Sequence, residues 1–108
     1  MRADVYSRMY EIFLSAIVDV RTKKDVDEFV SDFLTPTERI MLPKRLAIAY
    51  LLTKGYEQRL ISQYLKVSFT TITRVSNQLR VSGGGYRKVI TKILADESLI
   101  GFLEKIDD

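Results

Sequence analysis

The segment Gln58–Leu79, QRLISQYLKVSFTTITRVSNQL, restricts what this chain can fold into more than any other. Ile61 and Leu65 stand four residues apart, on one face of a first helix. Val67 falls where a turn must be plugged, and Ile72 with Val75 forms the inner face of a second helix. Ser62 is small where that second helix has to cross closely. Ser68 can cap it, because a serine hydroxyl accepts a backbone N–H from the first helical turn. Burying this hairpin leaves Phe69, Thr70, Thr73, Arg74 and Asn77 outside. Side chains of these kinds reach thymine methyls, base edges and phosphates. The pattern predicts a helix-turn-helix whose second helix reads DNA. An ordinary helical hairpin in a bundle is the competing reading, but burial alone does not call for such an outer face.

Charge supports the same reading by its placement. The net charge of +3 is only a mild lean towards an anionic partner. Between Lys44 and Lys88, however, the cations Lys44, Arg45, Lys54, Arg59, Lys66, Arg74, Arg80, Arg87 and Lys88 face one acid, Glu57. The other acids all lie outside that stretch, among them Asp25, Asp27, Glu28 and Asp32 before it and the acids from Asp96 onward after it. A basic middle that coincides with a two-helix motif is the electrostatic footprint of phosphate contacts. A merely solvated basic face is the alternative that charge alone leaves open.

The missing residue types exclude whole classes of chemistry. The chain has no Cys and no His, which removes disulfides, thiolate and imidazole metal sites, and any Ser–His nucleophile. No metal, cofactor or catalytic residue is expected, and acid pairs such as Asp96 with Glu97 show no spacing that implies cooperation in a hydrolase or transferase. The apolar runs are too short to cross a bilayer, and no signal peptide precedes the first helix. A cytoplasmic protein without a membrane partner is therefore expected.

At 108 residues the chain is expected to be a single domain, all-α, with no strand. Residues 1–34 read as two amphipathic helices. The first carries Val5, Met9, Ile12, Phe13, Ala16, Ile17 and Val20 at three- and four-residue steps, and the second runs over Lys24–Leu34. Residues 35–55 read as a central helix. Thr35-Pro36-Thr37-Glu38 opens it as a capping box and Gly55 stops it. Pro43 either kinks this helix or divides it. Residues 58–80 are the helix-turn-helix. Gly83-Gly84-Gly85 reads as a hinge or loop. Residues 86–108 read as two further helices, Tyr86–Leu94 and Asp96–Ile106.

The run LTPTERIMLPKRLAIAYLLTKG followed by QRLISQYLKVSFTTITRVSNQLR resembles the Trp repressor family. The likeness is closest at Leu34-Thr35-Pro36, Glu38-Arg39, Arg45, Gln58-Arg59, Thr71-Ile72-Thr73-Arg74 and Ser76-Asn77. The triple glycine before Tyr86 looks more like that family's YerC/YecD branch. The resemblance implies an intertwined homodimer, interlocked through residues 1–34 and the last helix, that binds a palindromic operator on double-stranded DNA. Carried over by position, it implies base contacts from Phe69, Thr70 and Thr73 and phosphate contacts from Arg59 and Lys66, with Ser68, Arg74 and Asn77 completing the DNA-binding set. Tryptophan-responsive members hold the indole between two arginines, and Arg45 and Arg74 occupy those positions, with Thr35 and Gln78 as further pocket candidates. Here Val75 replaces a glycine, Gln78 a serine and Pro43 another glycine. Added volume in a snug pocket costs typically ~1–3 kcal/mol. A small-molecule co-repressor has a place to bind, but L-tryptophan fits it poorly.

These observations point to a sequence-specific transcriptional regulator, a repressor acting by occupying its operator. The alternative is a helical protein–protein interaction module of the transcription machinery without sequence-specific DNA binding, since similar two-helix motifs serve there too.

Overall fold

The computed structural model describes residues 2–94 together with residues 101, 105 and 106. Six helices account for most of them: α1 (Ala3–Asp19), α2 (Lys23–Phe33), α3 (Pro36–Thr53), α4 (Gln58–Leu65), α5 (Phe69–Val81) and α6 (Gly84–Leu94). There is no strand among the described residues. The all-α expectation is met. None of the helices among the described residues is long and apolar enough to cross a membrane. The helix expected over Asp96–Ile106 lies almost wholly outside the described residues; Ile106 itself is buried.

The chain divides into two compact units, Met1–Arg39 and Ile40–Asp108. In the first, Thr22 caps α2 by accepting the Asp25 N–H at 3.1 Å. Aromatic rings form its internal contacts. Phe13 stacks on Phe33 at 5.4 Å and Phe33 on Phe29 at 5.1 Å, while Tyr10 lies 6.3 Å from Phe13 and 6.0 Å from Tyr6. No residue of α1 or α2 is fully buried, and Ile12 and Val18 are each 70% exposed.

The start of α3 is the expected capping box. The Thr35 N–H donates to Glu38 Oε1 at 2.8 Å, and the Glu38 N–H donates to Thr35 Oγ1 at 3.2 Å. The bond from the Thr35 N–H favours the ionised carboxylate and is the main reason the Glu38 pKa is lowered, with the neighbouring Thr35 side chain contributing next. Pro43 does not divide the helix; α3 continues through it to Thr53. The Arg39 carbonyl is the group Pro43 cannot bond four residues back, and the boundary between the units falls at that residue. At the far end Gly55 has φ +89°. The Gly55 and Tyr56 N–H groups donate to Leu52 and Leu51 at 3.0 and 3.1 Å. This pair of bonds closes the helix and satisfies carbonyls that would otherwise be orphaned.

The core belongs to the second unit. Ile48, Ala49, Tyr50 and Leu51 from α3 meet Ile61 from α4, Val67 from the turn, Ile72 and Val75 from α5, and Ile90 from α6. A fully buried aliphatic side chain contributes ~1.5–3 kcal/mol, so this cluster fixes how α4 and α5 are presented.

Gly83-Gly84-Gly85 differs from the hinge expected. Only Gly83 turns, at φ +66°, and it is buried; Gly84 and Gly85 already belong to α6. The Arg87 guanidinium bridges the joint by donating to the carbonyls of Leu79 (2.6 Å) and Ser82 (2.8 Å). Cations stabilise the carbonyl end of a helix, and here the cation comes from the following helix and braces the junction.

Candidate nucleic-acid interface

Helices α4 and α5 meet through Ile61, Val67, Ile72 and Val75, each of them buried. Leu65, on the same helix face as Ile61, sits at the edge of the cluster and is only partly buried. Ser62 does more than allow a close crossing: its hydroxyl donates to the Val67 carbonyl at 2.7 Å. The turn itself is carried by Lys66, whose φ of 56° makes it the one described non-glycine residue in the left-handed region. Lys44, from α3, donates its ammonium to the Lys66 carbonyl at 3.3 Å. These two contacts from α4 and α3 set the path of the turn, and the path of the turn aims α5.

Ser68 caps α5 as its sequence position implies. Its Oγ accepts the Thr71 N–H at 3.2 Å and lies 3.0 Å from Thr71 Oγ1. That hydroxyl is thus already engaged at the helix start. Beyond it, Phe69, Thr70, Thr73, Arg74 and Asn77 are all exposed along α5. Phe69 keeps 53% of its surface open, an apolar face suited to a thymine methyl. Between Gln58 and Ala95 there is no acidic residue at all. Nothing on these two helices therefore repels a phosphate backbone.

Arg59 is exposed on α4, 3.9 Å from Glu57. A surface ion pair of that length contributes at most about 1 kcal/mol, so it does not hold Arg59 back from a phosphate. Lys66 is likewise exposed. One contact on this face was not anticipated by the sequence reading. Arg80, three residues after Asn77, donates to Asn77 Oδ1 at 3.0 Å. The i, i+3 spacing of an amide and a guanidinium on one helical face was the available signal. The contact orients the Asn77 amide.

A half-open cavity of about 330 Å³ lies behind α5. Met41 and Arg45 reach it from α3, Thr71, Arg74, Val75 and Gln78 from α5, and Tyr86 from α6. Three of the four effector candidates, Arg45, Arg74 and Gln78, thus line one space. Gln78 is also tied to Ser82, donating to its Oγ at 2.5 Å. The fourth candidate, Thr35, belongs to the N-terminal unit, where its hydroxyl is committed to the Glu38 cap. Tyr86 is a lining residue that sequence reasoning did not select, since nothing in its spacing ties it to α5. Among the described residues no group of carboxylates could hold a metal ion.

The family model described as Trp repressor protein matches residues 8–94. The chain is 37% identical to a Trp operon repressor homolog of Vibrio atlanticus over 75% of this chain and 85% of the relative. It is 49% identical to the Trp operon repressor homolog of Actinobacillus succinogenes over 50% of this chain and 54% of that protein. A Trp operon repressor homolog of Vibrio vulnificus is 37% identical over 67% of this chain and 72% of its own length. No solved structure gives a significant match.

Proposed function

This chain belongs to the Trp repressor family, and on that premise we propose that it is a repressor that binds a palindromic operator as a homodimer. The family consists of DNA-binding transcription regulators, not enzymes. The observation that carries the proposal is the outer face of α5: Phe69, Thr70, Thr73 and Asn77 exposed on a capped helix, in a stretch without acids. Phosphate contacts from Arg59 and Lys66 supply affinity, and α5 supplies sequence choice. The open apolar surface of α1 supports the dimer, because side chains such as Ile12 and Val18 stay exposed in one chain alone. The half-sites would lie about one helical turn apart, a spacing taken from helix-turn-helix dimers, of which Trp repressor is itself an example.

The test is selection of bound sites from fragmented genomic DNA, with the mass of the protein in solution measured alongside. A recovered palindrome and a dimer mass support the reading. Thr73→Ala and Arg59→Ala should weaken binding while leaving the mass unchanged. If the selection returns only charge-driven background while a component of the transcription machinery is bound specifically, the chain is an interaction module instead.

A further inference from the structure

We propose, resting on the reading of this chain as a DNA-binding regulator, that Lys44 of α3 is a positioning residue for DNA recognition. Its ammonium, held on the Lys66 carbonyl, fixes the direction in which α5 leaves the turn. The bond measures 3.3 Å and spans 22 positions of the chain. It joins the helix that supplies Ile48–Leu51 to the core with the turn between α4 and α5.

The turn has two consecutive carbonyls that side chains must satisfy. The Ser62 carbonyl accepts the Val67 N–H and closes α4, while the Ser68 carbonyl accepts the Ile72 N–H and opens α5. Between them, the Val67 carbonyl is taken by the Ser62 hydroxyl and the Lys66 carbonyl by Lys44. Ser62 belongs to α4, so its bond ties the turn only to the hairpin itself. Lys44 ties the turn to a different helix. α4 carries no basic residue in its own last turn, and a cation at the carbonyl end of a helix is stabilising. α3 supplies that cation. Lys44 is half-buried, unlike the exposed Arg45 beside it, and a partly buried charge is screened less by salt than a surface one.

Apolar packing holds the hairpin without aiming it. Ile61, Val67, Ile72 and Val75 share one cluster with Ile48–Leu51, and the burial that joins them is non-directional. A hydrogen bond is directional and weakens steeply when misaligned. Base edges are read by side-chain atoms in register, whereas phosphates respond mainly to charge. Loss of the Lys44 bond therefore costs sequence discrimination more than overall affinity.

The full-length protein is compared with Lys44→Met, Lys44→Arg and Lys88→Met, the last removing an exposed cation of α6. Three quantities are read: affinity for the selected operator, affinity for a scrambled duplex across a salt series, and amide hydrogen exchange over residues 66–72 without DNA. Lys44→Met is expected to lower the ratio of operator to scrambled affinity roughly tenfold, as for one lost charge-assisted contact. It is also expected to speed exchange at the turn, with the salt slope of Lys88→Met. Lys44→Arg, whose guanidinium still donates to a carbonyl, is expected to restore both ratio and protection. If Lys44→Met does not fold, Lys44→Gln, polar but one bond shorter, takes its place with the same expectations.

An unchanged ratio, or unchanged exchange at the turn, would overturn the proposal. So would an equal fall on both duplexes with a salt slope about one unit shallower than that of Lys88→Met, which would make Lys44 a phosphate contact. Loss of melting temperature without rescue by Lys44→Arg would reduce it to a packing residue and overturn the proposal as well. A parent protein that recovers no operator sinks the regulator reading instead. Exchange in the DNA-free protein still shows then whether Lys44 holds the turn, so the two failures are distinguishable.

Discussion

The Ser62 hydroxyl donates a 2.7 Å hydrogen bond to the Val67 carbonyl, tying the last turn of α4 to the residue that plugs the turn before α5. Val67 N–H in turn donates to the Ser62 carbonyl at 3.2 Å. The two residues therefore clamp each other across Lys66. Ser62→Ala should keep the fold and lose ~1 kcal/mol, the net value of one intramolecular hydrogen bond. Urea unfolding checks this, and an unchanged midpoint would mean the hydroxyl serves size alone.

Lys66 holds a backbone conformation that costs an L residue ~1–2 kcal/mol and a glycine little. Lys66→Gly should therefore leave stability unchanged or raise it, since relief of strain outweighs the extra freedom of the unfolded chain. The same variant should bind DNA more weakly at every sequence and flatten the salt dependence by about one unit. Melting curves and a salt titration of DNA affinity, taken together, would separate the two effects.

The joint before α6 makes opposite demands on neighbouring glycines. A Cβ at Gly83 would stand 2.7 Å from the Leu79 carbonyl oxygen, at a φ of +66°, whereas one at Gly84 meets nothing within 4 Å. Gly83→Ala should destabilise by more than ~1 kcal/mol, through steric overlap and an unsuitable dihedral. Gly84→Ala, in the first turn of a helix, should stabilise by up to ~1 kcal/mol. Equal melting temperatures for the two variants would show that the joint adapts freely.

Acid should loosen the start of α3. Hydrogen bonds from Thr35 hold the Glu38 carboxyl below its ordinary value of 4.5. A carboxyl depressed in the folded state contributes stability that is fully present above the unfolded value. That contribution is lost as pH falls through the folded one. Glu38→Gln, which keeps an acceptor but no charge, should lower stability near neutrality and remove this part of the acid dependence below pH 4.5. Urea midpoints of parent and variant as a function of pH should therefore converge in acid; parallel curves would deny the cap its electrostatic role.

Much of this was legible from local patterns. The Thr35 capping box, the Gly55 stop and the Ser68 cap are short-range features, and the residues that bond to one another in them lie within five positions. The buried set Ile61, Val67, Ile72 and Val75 followed from helical periodicity in the same way. Pro43 was ambiguous because a missing hydrogen bond can be tolerated when the helix gains from packing, and Ile48–Leu51 beyond it are buried. The glycine triplet was misread as uniformly loose. Composition cannot tell which glycine will be packed under the Leu79 carbonyl and which will start a helix.

By itself, then, the sequence determined the six described helices, most of their ends, the inner face of the helix-turn-helix and the acid-free outer face. Each depends on residues a turn or less apart, where backbone geometry leaves few choices. Only the tertiary structure decided what meets across the fold. It brought Lys44 to the Lys66 carbonyl, Arg87 back to the end of α5, and Arg45, Arg74 and Tyr86 around one cavity. Those meetings join residues from different helices, and the packing of Ile48, Ile61, Ile72 and Ile90 sets them in place. No periodicity along the chain encodes that packing.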